Sequence, residues 1–254
     1  MGERNAMNKQ ELLHKAEQLM RMHKSGLLGG EVMPEDANPG LPLGSAENYL
    51  YFTLPMALNY QRSSYSLWQS ALQTYHDEET RFLFCPQQCL EHSFDQIQNA
   101  ITKYKLALQR NKQTEVWLKL CETFSAKFNG DVRHLLDQNE NDITRIKRYI
   151  QLESKRDFPY LSGTKICNYW LYVLHQYTDR HFTNLDALTV APDTHVCQAS
   201  LKLGLITEEA FHAPDVQRIV SERWAWLFEG TPYNPIDIHT PLWLWSRNGF
   251  QDIV

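Results

Sequence analysis

The chain has 254 residues, 43% of them hydrophobic and 22% charged, with a formal net charge of −5 at pH 7. That length suits one large domain or two small ones around an ordinary apolar core, and no apolar run reaches the roughly 20 residues that span a bilayer. The acidic balance argues against a protein that coats nucleic acid by bulk charge, but a local basic face needs only a handful of well-placed lysines and arginines.

The first residues, "MGERNAMNKQELLHKAEQLM", have no apolar signal core and read as a short leader running into an amphipathic helix. Leu12, Leu13, Ala16, Leu19 and Met20 fall at helical spacing there. "SGLLGGEVMPEDANPGLPLGS" follows as a glycine- and proline-rich loop. From Asn48 to Tyr75 the apolar and aromatic pattern predicts one or two helices, with Pro55 near a helix start. "CPQQCLEHSFDQIQNAITKYKLAL" predicts a helix with Cys89, Phe94, Ile97, Ile101 and Tyr104 on one face. "QTEVWLKLCETFSAKF" predicts another, with Val116, Trp117, Leu120 and Phe124 inward and Thr114 as its cap. "NGDVRHLL" is a turn into a short helix, and "NDITRIKRYIQLES" a helix with Arg145, Lys147 and Arg148 on its wetter side. No segment alternates with period two and no repeat is visible, so the predicted fold class is all-α.

"RDFPYLSGTKICNYWLYVLHQY" then reads as helix, tight turn, helix. One helix ends near Lys155 or Arg156, Pro159 and Gly163 make the turn, and a strongly apolar helix begins near Thr164. Backbone amides at such a turn and at the following helix N-terminus can hold a phosphate. Lys165 stands in the first helical turn. The helix dipole and apolar neighbours both disfavour its charged form, which is how an amine becomes a nucleophile near neutral pH; a lysine reaching out to solvent is the plainer alternative. Downstream, "VAPDTHVCQASLKLGL" opens a helix at Asp193, which can cap it, act as a catalytic carboxylate, or do both.

The five cysteines (Cys85, Cys89, Cys121, Cys167, Cys197) are too scattered for a disulfide framework, and Cys85 and Cys89 lack the second pair of a zinc or iron–sulfur set. Reduced thiols in a cytoplasmic protein are expected, nucleoid-associated if the source is prokaryotic. His175, His181 and His195 are not joined by carboxylates at ligand spacing, so no metal is expected.

The turn before Lys165, together with Asp193 in "PDTHV", resembles the helix–hairpin–helix DNA glycosylase/AP-lyase superfamily. The long gap between them, "KICNYWLYV", and the C-terminal "NPIDIHTPLWLWSR" are similar to the archaeal 8-oxoguanine DNA glycosylase branch. The resemblance covers about Asp157 to Gly204 and Pro235 to Arg247, and is thin before Leu54. It implies two helical subdomains with a helix–hairpin–helix at about 156–165 and an active-site cleft between the subdomains. Residues 1–47 would form an N-terminal helix and loop, and 48–254 the glycosylase-like region, with the N-terminal helices packing on the C-terminal segment. It implies Lys165 as Schiff-base nucleophile and Asp193 as the carboxylate that stabilises the sugar cation. Tyr169, His239 and Trp243 would line the base pocket. Gln61 would plug the duplex, and Lys147, Arg148, Lys155, Arg156 and Gly163 would contact the DNA backbone. The expected partner is damaged double-stranded DNA bound by a monomer, with no membrane, no metal cluster and no cofactor.

The chain departs from that branch at His239, where the branch has a carboxylate that reads the base. Histidine can donate, and a carboxylate only accepts. Asp237 stands two residues earlier, the turn carries a single glycine, and the iron–sulfur cysteines of another branch are absent. The expected reaction is excision of an oxidised purine with strand nicking. A different damaged or modified base, or a non-enzymatic module that binds damaged DNA, remain the alternatives.

Overall fold

The computed structural model describes residues 8–29 and 33–253, so the leader expected before the first helix lies outside the described residues. Among these residues the chain is helical, with no strand beyond one isolated bridge between Asp142 and Thr183. No helix among them is long and apolar enough to cross a membrane. In chain order the helices are α1 (Lys9–Lys24), α2 (Ala46–Thr53), α3 (Ser64–His76), α4 (Pro86–Leu90), α5 (Phe94–Lys103), α6 (Arg110–Phe128) and α7 (Val132–Gln138). They continue with α8 (Ile143–Arg148), α9 (Thr164–Tyr177), α10 (Thr194–Leu203), α11 (Glu208–Phe211), α12 (Val216–Phe228) and α13 (His239–Arg247). These elements sort into two compact units: a central unit of residues 33–184, and a terminal unit built from both ends of the chain, 8–29 with 185–253.

The central unit is built on aromatic side chains. Trp68, Trp117 and Trp170 are wholly buried with Tyr51 and Phe52, and each buried indole N–H needs an acceptor. Trp170 donates to Thr53 Oγ1 at 2.9 Å, Trp117 to the Leu83 carbonyl at 3.0 Å, and Trp68 to Glu35 Oε1 at 3.0 Å. A second aromatic group roots the segment ahead of α9. Phe158 lies 5.9 Å from Phe124, 6.1 Å from Tyr149 and 6.4 Å from Phe128, ring centre to ring centre.

Two local expectations are corrected in this unit. Cys89 and Phe94 do not share a helix: α4 ends at Leu90, and Ser93 starts α5 with a capping box in which Gln96 bonds back to the Ser93 amide. The break leaves Phe94 exposed while Ile97 and Ile101 stay buried. Thr114 is not a cap either. Helix α6 starts four residues earlier, and the Thr114 hydroxyl donates to the Arg110 carbonyl at 2.6 Å inside it, the bond threonine makes in mid-helix. The start is held instead by Gln113, whose Oε1 accepts from the amides of Leu108 and Gln109.

In the terminal unit, α1 buries Leu12, Ala16, Leu19 and Met22, one stripe at helical spacing, and packs on α12 and α13. Helix α10 lies along α13, and Trp224 of α12 donates to Ser200 Oγ of α10 at 2.9 Å. Asn248 and Gln251, after α13, donate to the carbonyls of Leu28 and Leu27. The two ends of the chain are thus joined by both apolar burial and hydrogen bonds.

Candidate active site

Helix α8 continues as one wide π-helical turn, Tyr149–Glu153, then a tight turn at Lys155–Asp157. The following turn buries Phe158 and Leu161 completely and leaves Gly163 exposed. Its own amides are used internally: Leu161 donates to Pro159, Ser162 to Phe158 and Gly163 to Tyr160. Amides open to an anion are therefore those of the first turn of α9, Thr164 to Ile166, which have no intrahelical acceptor. Gly163 caps α9 at φ −64°, an ordinary angle, but a Cβ there would meet the Tyr160 carbonyl oxygen at 3.1 Å. A larger residue there would need the Tyr160 carbonyl to give by a few tenths of an ångström.

Lys165 is the second residue of α9 and is exposed. One turn further, the half-buried Tyr169 donates from its hydroxyl to Glu35 Oε1 at 2.8 Å, the same oxygen that accepts from Trp68. Glu35 is only 1% exposed. Burial pushes its carboxyl above the usual carboxylate range, against the opposing pull of the Tyr169 and Trp68 hydrogen bonds. Beside it, Asp36 accepts from the Tyr177 hydroxyl at 2.8 Å, so the Pro34–Asp36 turn is fastened to α9 at two tyrosines eight residues apart. Sequence reasoning missed Glu35. It lies in the loop dense in glycine and proline, and only the need of buried Trp68 and half-buried Tyr169 for an acceptor could have signalled it.

Of the expected backbone contacts, Arg148, Lys155 and Arg156 are exposed, Arg148 with an ion pair to Glu153 at 2.8 Å. Lys147 is only half-exposed, not on the wet side with Arg145 and Arg148. Burial lowers its pKa, opposed by the nearby Cys167 thiol, which burial itself raises to about 12. Gln61 is exposed, in the left-handed region at φ 51°, on a loop held by Arg62 to the carbonyls of Lys105 and Leu106. Gln61 also adjoins the turn before α9, because the neighbouring Tyr60 ring lies 5.6 Å from the Tyr160 ring. The structure therefore brings Gln61, Gly163, Lys165 and Tyr169 into one unit, around α9 and its leading turn.

Asp193, His239 and Trp243 belong to the terminal unit. Asp193 caps α10, accepting from the Val196 amide at 2.9 Å, and is half-buried. His239 is 3% exposed at the start of α13, and its Nδ1 accepts from the Ala191 amide at 3.4 Å. In the neutral ring this bond puts the proton on Nε2. The Trp243 ring is covered by His195, 5.5 Å away edge-on, and by the Arg247 guanidinium at 5.1 Å. His195 Nδ1 lies 3.2 Å from Ser246 Oγ. Asp193, His195, His239 and Trp243 thus gather where α10 and α13 begin side by side.

A polar cleft of about 460 Å³ elsewhere in the central unit, around Asp131, Arg133, Asp137 and Arg180, is lined by His181 but by none of the residues expected to act on DNA. Its guanidiniums are paired, Arg133 to Asp131 and Arg180 to Asp137. No protein-family model matches the chain, and a search of curated proteins finds no match either.

Proposed function

We propose that the protein is a bifunctional DNA N-glycosylase/AP lyase that removes a damaged purine and nicks the resulting abasic strand. The observation that carries this reading is the accessible Lys165 amine in the first turn of α9. It stands behind a turn rooted by Phe158 and Leu161, with Tyr169 one helical turn on and tied to a buried acid. This arrangement offers an exposed amine, first-turn amides beside it and an aromatic one helical turn further along.

The chemistry follows from those groups. The Lys165 amine attacks the deoxyribose C1′ as the base leaves, and the nitrogen gives up a proton to the departing base. Positive charge builds on the sugar before the new C–N bond is complete, and a carboxylate stabilises it, a role that the resemblance gives to Asp193. Opening of the sugar ring gives an imine, which acidifies the C2′ hydrogens. Loss of one of them expels the 3′ phosphate by β-elimination, and water then releases the lysine. The target base must leave the stack first, at a cost of a few kcal/mol. Gln61 fills the gap, and Lys155, Arg156 and the first amides of α9 hold the backbone.

His239 favours a second reading of the substrate. It stands where the similar branch has a carboxylate, and its Nδ1 accepts from the Ala191 amide. A histidine can donate where a carboxylate only accepts, so a modified base other than 8-oxoguanine is the second reading. Duplexes that each contain one lesion, incubated with the protein and resolved on denaturing gels, test both points. The reading expects base release and nicking for one class of modified purine, with both lost in Lys165→Gln. Cleavage that is indifferent to this substitution, or binding without cleavage across the panel, would leave only a damaged-DNA-binding module.

A further inference from the structure

Beside the turn that precedes α9, the central unit carries an aromatic pair, exposed Tyr60 and half-buried Tyr160, with a cation on it. Tyr60 is 48% exposed, far more than the buried tyrosines Tyr49 and Tyr51. Its ring lies 5.6 Å from that of Tyr160 at 49°, so the two rings form a shallow angle. Lys112, at the start of α6, sits with Nζ 5.3 Å from the centre of the Tyr160 ring. Both supporting loops take the left-handed backbone without glycine, at Gln61 (φ 51°) and Tyr160 (φ 60°), a conformation that costs a side-chain-bearing residue energy and persists only where the surroundings enforce it. Arg62 and Phe158 do the enforcing, the first through two backbone carbonyls and the second through the buried aromatic group. Around the pair, the segment from Lys103 to Lys112 contains Lys105 and Arg110 and no acidic residue.

We propose that Tyr60 and Tyr160, with Lys112, form a stacking platform for an unpaired nucleobase of a DNA strand, with Lys112 taking the adjoining phosphate. Aromatic faces beside a cationic track are what an unpaired base and its phosphate require, and they read no sequence. The proposal rests on the DNA reading above and extends it: Gln61 follows Tyr60 directly, so a base left without its partner when Gln61 enters the stack has the platform next to it.

A duplex with 2-aminopurine opposite a tetrahydrofuran abasic analogue tests the idea without any bond cleavage. Wild-type protein should bind it and quench the 2-aminopurine by stacking. Tyr60→Ala should bind roughly 10-fold more weakly and lose the quenching, and Tyr60→Phe should retain both. Lys112→Gln should lower the slope of log affinity against log salt by about 1. Tyr60→Ala that binds and quenches like wild type, or wild type that leaves the probe unquenched, would overturn the proposal. The lyase reading is scored separately by imine trapping: loss of quenching in Tyr60→Ala without any imine would keep the platform and remove the lyase, and the opposite pattern would do the reverse.

Discussion

Replacing Asp193 by asparagine separates the two jobs the carboxylate can do. Asparagine caps a helix about as well as aspartate, so the bond from the Val196 amide survives and stability should stay within about 0.5 kcal/mol. Asp193→Ala should cost about 1 kcal/mol of stability. On the proposed reading base release should fall in both by roughly 100-fold or more, because the carboxylate assigned to stabilising the sugar cation is lost in each. Urea unfolding beside a glycosylase assay reads the two effects, and an Asp193→Asn protein as active as wild type would reduce Asp193 to a cap. Glu35 gives a second residue-level prediction. Burial raises its pKa, so between the unfolded and folded values the folded state holds a proton that the unfolded chain has lost. Stability therefore falls as pH rises through that window. Glu35→Gln keeps an oxygen for Tyr169 and Trp68 and removes the titration. Its stability relative to wild type should be higher at pH 7 than at pH 4, and a difference constant with pH would contradict the assignment. Glu35 also shows where sequence reading ends: its burial depends on two partners more than 30 residues away in the chain, in a loop with no periodicity of its own.

At the scale of elements, what is local was legible. Asp193 stands at the start of α10, and the turn between α8 and α9 lies where Pro159 and Gly163 put it. The errors came where two local signals competed. Thr114 looks like a cap because threonine caps helices, but here its hydroxyl bonds back along the helix and Gln113 does the capping. The continuous apolar face drawn from Cys89 to Tyr104 overlooked the Ser93–Gln96 capping box, a strong start signal in the middle of it. The turn before α9 depends on Phe158. Truncation to alanine should cost about 3–5 kcal/mol and loosen the support of Lys165, so nicking should fall further than the folded fraction does. An unfolding curve paired with a nicking assay at a temperature where the variant stays folded checks this. Activity that simply follows the folded fraction would mean that the turn does not position Lys165.

At the scale of the whole molecule, the all-α class followed from periodicity alone, since every apolar stripe repeats at helical spacing. Which helices close which unit did not. Helix α1 joins α12 and α13 across nearly the full length of the chain, and no local pattern encodes a contact of that range. Of the residues expected to act on DNA, Gln61, Lys165 and Tyr169 fall in the central unit around α9 and its leading turn, and Asp193, His239 and Trp243 fall in the terminal unit. The most direct measurement is borohydride reduction during incubation with an abasic-site duplex, followed by mass spectrometry of the digested adduct. The account predicts one covalent protein–DNA species, attached through the peptide that contains Lys165 and absent from Lys165→Gln. Failure to trap any adduct, or an adduct mapped to another lysine, would contradict it.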